Sequence, residues 1–131
     1  MKIKVGEYIR TKNGVIAKLE YIHNKDKVCW FDKVIYSRYG EEIDFLTTEE
    51  LPKYVVSHSK NIKDLVQKGD YINGLRVEKN KYGELYVSYV YYGGDIGNQY
   101  EVYTEWIDDL KNENICSVST KEQFENMEYR L

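Results

Sequence analysis

Apolar and polar residues alternate along most of this chain in short runs separated by turn residues, a pattern typical of strands with one buried face. In the first half the pattern predicts four strands, over residues 7–12, 15–22, 27–37 and 41–46. Asn13-Gly14 joins the first two strands, and this dipeptide is a strong signal for a tight hairpin. The third run carries apolar residues on both faces, which indicates a central strand. The first half is therefore predicted to be a four-stranded antiparallel meander.

The second half opens with an echo of the first. Gly69-Asp70-Tyr71-Ile72 repeats the pattern of Gly6-Glu7-Tyr8-Ile9, in which a small turn residue and an acid precede a tyrosine and a β-branched residue. The stretch at 84–92, ELYVSYVYY, has the strongest β character in the chain. A glycine-rich loop at 93–98 separates it from a returning strand at 100–106, and residues 114–118 read as a last short strand.

Three short segments have helical signals. Thr47 and Glu50 have the spacing of a capping box, although Pro52 limits that helix to about one turn. Residues 61–66 predict a helical turn that buries Ile62, Leu65 and Val66. Overlapping capping boxes at 119–123 predict a C-terminal helix over 121–128, with Phe124 and Met127 packed on the sheet.

These elements predict a mainly β fold with minor α, built as two small antiparallel lobes. Residues 1–57 form the N-terminal meander lobe, and residues 58–69 form a connector with a short helical turn. Residues 70–131 form a tyrosine-rich β lobe that ends in the predicted helix. At 131 residues the chain is one compact domain, or two lobes that share a core.

Tyrosine and charge are unevenly used. The chain has 14 tyrosines against 3 phenylalanines, which fits half-buried strands and equally fits a recognition surface. Residues 1–33 hold eight basic and four acidic residues, whereas residues 41–50 hold five acids and no base. Residues 95–113 hold six acids and one lysine. Because the isoelectric point is near 5.5, the composition favours binding to a basic surface over general nucleic-acid binding.

No catalytic or metal-binding motif is found in the sequence. The two histidines, His23 and His58, have no zinc spacing to the cysteines, and no phosphate-binding loop or nucleophile motif occurs. We therefore expect no enzyme activity, no cofactor and no metal. Cys29 and Cys116 are interpreted as reduced, packed thiols, with a disulfide between them as the alternative. The absence of a long apolar run and of a signal-peptide pattern predicts a cytoplasmic protein without a membrane span.

Two resemblances add to this interpretation. Residues 5–19 resemble the opening strand pair of small SH3-like or KOW-type barrels. Three blocks also resemble uncharacterised small accessory proteins of phages and prophages of Firmicutes: residues 5–9 (VGEYI), residues 58–74 (HSKNIKDLVQKGDYING) and residues 120–129 (TKEQFENMEY). This second resemblance implies a protein of mobile elements that acts inside a bacterial host cell, and it supplies no functional residues.

The leading hypothesis is a phage-encoded, non-catalytic binding protein that inhibits a host defence system of the anti-CRISPR type. Its partner would be a host protein, such as a nucleic-acid-handling enzyme with a basic groove. An inhibitor of this kind needs shape, aromatic anchors and complementary charge rather than a reaction centre. The predicted contact residues form an acidic and aromatic face around the strand at 100–106: Tyr91, Tyr92, Asp95, Glu101, Tyr103, Glu105, Asp108 and Asp109.

Two alternatives stay open. One is a nucleic-acid-binding module, in which Tyr8, Tyr21 or Trp30 stacks on bases. Its phosphate contacts would be basic residues of the first lobe: Lys2, Lys4, Arg10, Lys12 and Lys18. The other is a structural virion or assembly component, which would form a defined homo-oligomer.

Overall fold

The first half of the chain forms one antiparallel sheet. The structure is a computed structural model that describes residues 1–37, 39–92, 100–123 and 128–131. The strands of this half are β1 (Tyr8–Thr11), β2 (Ile16–His23), β3 (Val28–Tyr36), β4 (Glu42–Thr47) and β5 (Val55–Ser59). They lie in the order β4-β3-β2-β1-β5, and a one-turn helix, α1 (Leu51–Tyr54), precedes β5. The four predicted strands are confirmed to within one or two residues, and β3 lies between β2 and β4 as predicted.

The described residues of the second half form seven strands that are shorter or more exposed. They are β6 (Tyr71–Ile72), β7 (Leu75–Arg76), β8 (Glu78–Lys79), β9 (Leu85–Tyr92), β10 (Tyr100–Trp106), β11 (Ser117–Ser119) and β12 (Tyr129–Arg130). They form two antiparallel sheets, β10-β9-β8 and β12-β11-β6-β7. Short 3-10 helices occupy Ile62–Leu65, Ile107–Asp109 and Asn112–Asn114. The fold is thus mainly β with minor helix, which confirms the predicted class.

The two halves share a strand order. Only Val77 separates β7 from β8, so the second half runs β10-β9-β8, through that residue into β7, and on to β6 and β11. This is the order β4-β3-β2-β1-β5 of the first half. In the first half β5 follows the helix α1 and pairs with β1. In the second half β11 follows two 3-10 helices and pairs with β6. The echo of sequence therefore corresponds to a repeat of connectivity.

The repeated glycine–acid pair makes the same hydrogen bonds in both copies. The glycine N–H donates to a carbonyl on the returning strand, at 2.8 Å in the first copy and 2.9 Å in the second, and that residue's N–H donates back to the carbonyl of the acid. Both glycines have positive φ, +95° and +93°, which favours glycine. The residues concerned are Gly6, Glu7 and Leu19 in the first copy and Gly69, Asp70 and Val77 in the second.

The two acids are also held alike. Each carboxylate accepts the backbone N–H three residues upstream, from Lys4 to Glu7 at 2.5 Å and from Gln67 to Asp70 at 2.7 Å. Glu7 also contacts His58 Nδ1 at 3.1 Å. Burial acts to raise the pKa of Glu7, but the Lys4 N–H and the His58 contact outweigh it and leave that pKa below its ordinary value.

β1 serves two hydrophobic cores because successive side chains of a strand point to opposite faces. Ile9 packs in a first core with β2, β3 and β5. Tyr8 packs in a second core, which also contains Ile62, Ile72 and Val118. All four residues of β1 are buried as a result. The two halves are therefore packed against each other through the first strand.

Arg10 lies on the same face of β1 as Tyr8, where its side chain joins the two halves. Its guanidinium donates to both carboxylate oxygens of Asp70, at 2.5 and 3.0 Å, and to Glu122 at 2.8 Å. It donates further to the carbonyl of Leu65 at 2.9 Å. Arg10 and Asp70 are 1% and 0% exposed. Burial acts to lower the pKa of Arg10, but the ion pairs with Asp70 and Glu122 outweigh it and raise that pKa.

The C-terminal segment closes over the β1–β2 turn. Thr120 Oγ1 donates to the carbonyl of Gly14, and Gln123 donates to the carbonyl of Asn13 at 3.0 Å. A Cβ at Gly14 would lie 2.5 Å from the Cβ of Glu122, so only glycine fits at this approach. This close approach gives Gly14 a second reason to be glycine, in addition to its positive φ in the turn.

The C-terminal segment differs from its predicted structure, whereas the connector agrees with it. The C-terminal helix over 121–128 is not confirmed, because residues 121–123 form a turn and Glu128 is non-helical. Phe124 and Met127, expected to face the sheet, lie outside the described residues. The chain then forms β12, in which Tyr129 is buried and packs edge-on against Tyr8 with ring centres 5.9 Å apart. The helical turn of the connector is confirmed as a 3-10 helix with Ile62 and Leu65 buried.

Candidate functional site

The most exposed regular structure is the ribbon of β9 and β10. The two strands pair along their full length, from Tyr86 opposite Trp106 to Tyr92 opposite Tyr100. β8 pairs only with the foot of β9, at Leu85 and Tyr86. The upper part of the ribbon is therefore a two-stranded structure within the described part of the chain.

Both faces of this ribbon expose apolar surface. Val102 is 68% and Val90 is 59% exposed on one face, where they lie directly opposite each other. Tyr103 is 41% and Tyr89 is 37% exposed on the other face, where their rings stack at 5.5 Å with an angle of 21°. At the foot, Trp106 meets Tyr86 edge-to-face at 5.7 Å. Exposed apolar side chains gathered in this way mark interaction surfaces.

The predicted acidic row is present on the stacked-tyrosine face. Glu101, Tyr103 and Glu105 share that face, and all three are exposed. The Tyr103 hydroxyl donates to Glu101 Oε2 at 2.5 Å, and this hydrogen bond to a carboxylate raises the pKa of Tyr103. Glu101 is therefore in direct contact with Tyr103, and Glu105 lies two residues further along the same face.

The remaining predicted contact residues lie at the two ends of the ribbon. Asp108 and Asp109 belong to the 3-10 helix that follows β10, and both are exposed. Lys63 Nζ donates to the carbonyl of Asp108 at 2.5 Å. At the far end, the backbones of Tyr91 and Tyr92 pair with Glu101 and Tyr100. Asp95 lies outside the described residues.

A cleft of about 520 Å³ lies beside the last residues of β10. Its lining combines two carboxylates, an indole and side-chain amides: Asn73, Thr104, Glu105, Trp106, Asp109, Leu110 and Asn114. Sequence reasoning missed the contribution of Asn73, which is brought there by the turn between β6 and β7. Its Oδ1 accepts the N–H of Cys116 at 2.6 Å and that of Ser117 at 3.2 Å.

The five basic residues predicted to contact phosphates differ in their exposure. Lys2, Lys4 and Lys12 are exposed, and Lys18 is half-buried with Nζ 5.8 Å from the centre of the Tyr8 ring. Arg10 is a correction, because its guanidinium is buried in the ion pairs with Asp70 and Glu122 and has no access to a phosphate. Tyr8 is likewise a correction as a base-stacking residue, since it is only 8% exposed.

The outer face of the first sheet carries an aromatic row that sequence reasoning recognised only in part. Tyr21, Trp30 and Phe45 lie side by side on β2, β3 and β4, and they are 55%, 39% and 40% exposed. The rings of Trp30 and Phe45 are 4.8 Å apart. Phe45 could have been found from the alternation of β4, in which Ile43 and Phe45 share a face.

Reactive groups are dispersed in the described part of the chain. Residues 1–37, 39–92, 100–123 and 128–131 contain no group of three histidine, cysteine or carboxylate side chains placed to hold a metal ion. Cys29 and Cys116 are free thiols, and burial raises the pKa of Cys29. No described helix is long and apolar enough to cross a membrane.

Comparisons with known protein families, with curated proteins and with solved structures find no match to this chain.

Proposed function

We propose that this chain is a non-catalytic binding protein that uses the β9–β10 ribbon to contact a basic surface of a protein partner. The observation that supports this most directly is the exposure of all six described side chains from Glu101 to Trp106, on both faces of β10. A strand kept only for folding would bury one face. The exposed faces combine tyrosine, tryptophan and carboxylates, the side chains that anchor and steer protein contacts.

The partner that suits this surface is a protein with a basic groove, such as a nucleic-acid-handling enzyme. Glu101, Glu105, Asp108 and Asp109 are exposed along one element and its continuation, so they present negative charge where a nucleic acid would otherwise bind the enzyme. With the resemblance to phage accessory proteins, this gives the specific form of the proposal: an inhibitor of a host defence system, acting in the cytoplasm of a bacterial cell. An SH3-like character of the first half belongs to the same proposal, supported by its five-strand order.

The test is affinity capture from a Firmicutes host lysate, with nuclease added, using the wild-type protein and two double variants. Glu101→Lys/Glu105→Lys reverses the charge of the ribbon. Glu41→Lys/Glu42→Lys is the matched control, because it reverses the charge of two exposed acids at the start of β4. We expect the wild-type protein and the control variant to capture a partner protein in the presence of nuclease, and we expect the ribbon variant to fail to capture it. Equal capture by the two variants at low salt would overturn the proposal.

A second candidate function is supported by the aromatic row of the first sheet. Tyr21, Trp30 and Phe45 form a platform on which single-stranded bases could stack, with each stacked base worth about 1–3 kcal/mol. This candidate predicts salt-sensitive binding to single-stranded DNA or RNA that is weakened by Trp30→Ala. A captured partner that disappears with nuclease would favour it over the first.

A further inference from the structure

A pocket of about 570 Å³ lies at one end of the first sheet, beside the end of β1 and the helix α1. Its described lining combines two lysines, two tyrosines and one carboxylate: Lys12, Tyr39, Glu50, Lys53 and Tyr54. Lys12 follows β1, Tyr39 lies in the turn between β3 and β4, and the other three belong to α1 or directly precede it. Pockets for small organic ligands are typically about 300–1,000 Å³, so this one is of the right size for such a ligand.

The walls of this pocket are anchored by the fold. The backbone N–H of Lys12 donates to the carbonyl of Tyr54 at 2.9 Å, which joins the end of β1 to the end of α1. Tyr54 is half-buried and packs against the first core, and Leu51, at the start of α1, belongs to that core and is 2% exposed. The side chains of Lys12, Lys53 and Tyr54 therefore extend from fixed backbone, which reduces the entropic cost of ordering them around a ligand.

The pocket beside α1 corresponds in position to the cleft beside β10. Each is lined by the residue that directly follows the first strand of its half, Lys12 after β1 and Asn73 after β6, and by the segment before the last strand of the series. In each half that residue's N–H donates to a carbonyl of the paired segment, to Tyr54 at 2.9 Å and to Ser117 at 3.0 Å. The repeat therefore places a pocket in both halves, whereas the charge of the lining differs: two carboxylates beside β10 and two ammonium groups beside α1.

The charges of the pocket beside α1 favour an anion. Of the five acids at residues 41–50, its described lining contains only Glu50, whose Oε1 accepts the N–H and the hydroxyl of Thr47, both at 3.0 Å. The ion pairs formed among the described residues include neither Lys12 nor Lys53. Two ammonium groups on one pocket repel each other, and an anion that contacts both replaces that repulsion with charge-assisted hydrogen bonds.

We propose that this pocket binds a nucleotide, with the phosphate held by Lys12 and Lys53 and the base packed against the ring of Tyr54. Lysine is a common phosphate ligand, and an aromatic ring is a stacking surface for any base. Glu50, held through Oε1, presents Oε2 as an acceptor for an N–H of the base or a hydroxyl of the sugar. A nucleotide uses all of these groups, whereas inorganic phosphate uses only the lysines. The described lining shares no residue with the β9–β10 ribbon, so this inference goes beyond the proposed function and does not depend on it.

The test is isothermal titration calorimetry at low salt, with the full chain and the four ribonucleoside 5′-monophosphates. Inorganic phosphate and the four unphosphorylated nucleosides are the ligand controls. Lys12→Gln/Lys53→Gln removes both charges of the pocket, and Lys25→Gln/Lys60→Gln is the matched control because it removes two exposed lysine charges outside it. Thermal melting checks that both double variants fold. If the pocket variant melts below the wild type, the single variants Lys12→Gln and Lys53→Gln give the same comparison.

We expect at least one mononucleotide to bind with a Kd below about 1 mM, and inorganic phosphate and the corresponding nucleoside to bind at least about tenfold more weakly. Lys12→Gln/Lys53→Gln should lose about tenfold in affinity, because it removes both charged contacts to the phosphate, and the control variant should not. The proposal is wrong if no mononucleotide binds at about 1 mM, if both double variants lose affinity equally, or if inorganic phosphate binds as tightly as the nucleotide. Nucleotide binding that is kept by the pocket variant and lost in Trp30→Ala would also overturn it, and would assign the nucleotide to the aromatic row of the first sheet.

Discussion

Removing Arg10 is expected to destabilise the protein far more than removing an exposed arginine. In Arg10→Met, the carboxylate of Asp70 keeps the backbone N–H groups of Gln67 and Lys121 but loses both guanidinium hydrogen bonds. Asp70 is fully buried, so water cannot replace the lost partner. Removing one partner of a buried ion pair costs about 3–5 kcal/mol.

The corresponding change in melting temperature can be worked out from chain length. Unfolding entropy is about 2.1 cal/mol/K per residue, which for 131 residues gives about 0.28 kcal/mol/K. A loss of about 3–5 kcal/mol therefore lowers Tm by about 11–18 °C. Arg76→Met is the matched control. Arg76 is 58% exposed, and its one ion pair with Glu78 is long, at 3.5 Å to a single carboxylate oxygen. Its ion pair is worth about 0–1 kcal/mol.

The assay is urea denaturation together with thermal melting, extended to a double-mutant cycle. Asp70→Asn alone places an amide NH₂ against the guanidinium donors of Arg10 and should also be destabilising. In Arg10→Met/Asp70→Asn the buried charge is gone, so the double variant should be less destabilised than the sum of the single variants. An Arg10→Met variant within about 1 kcal/mol of Arg76→Met, or an additive cycle, would refute the role assigned to this cluster.

Three further predictions concern other contacts that hold the fold together: those of Glu7, Gly14 and Tyr129. Glu7→Gln should cost about 1 kcal/mol at neutral pH, and since the pKa of Glu7 is lowered on folding, that difference should vanish as the pH falls through the folded pKa; denaturation across a pH series measures it. Gly14→Ala should lower stability by more than Gly40→Ala, because both glycines have positive φ but, among the described residues, only Gly14 of the two has a neighbour within 4 Å; equal melting temperatures would contradict the close approach. Tyr129→Phe should cost about 1–3 kcal/mol, because it leaves Asp32 without the hydroxyl that donates to it at 2.5 Å, and an unchanged free energy of unfolding would count against β12 as a fastening strand.

Local pattern was sufficient to predict the first four strands and the exposed row of Glu101, Tyr103 and Glu105, because both depend on alternation over a few residues. Val102 and Trp106 show where it fails: alternation assigns them to one face and Glu101 and Glu105 to the other, but it does not say that both faces are exposed. That exposure depends on whether other elements pack on the two faces of the ribbon, which is a matter of tertiary packing.

The burial of Arg10 could not be predicted either, because it also depends on tertiary packing. An arginine on a short strand near several lysines is ordinarily a surface residue. Its carboxylate partners, Asp70 and Glu122, lie 60 and 112 residues away in sequence, and no local signal links them to it. The glycine–acid repeat was visible, whereas the use of the second acid as the counter-ion for the first copy's strand was not.

The repeat also provides an internal comparison that separates folding from function. β3 and β4 of the first half correspond in order to β9 and β10 of the second. In the first pair Cys29, Phe31, Ile35 and Leu46 are buried in the core. In the second pair the described side chains contribute only Val87 as a buried residue. Since one connectivity supports both arrangements, the fold does not require a ribbon that buries so little. Exposed apolar surface is a liability that invites association, so the exposed tyrosine, valine and tryptophan side chains of this ribbon support the proposed binding role.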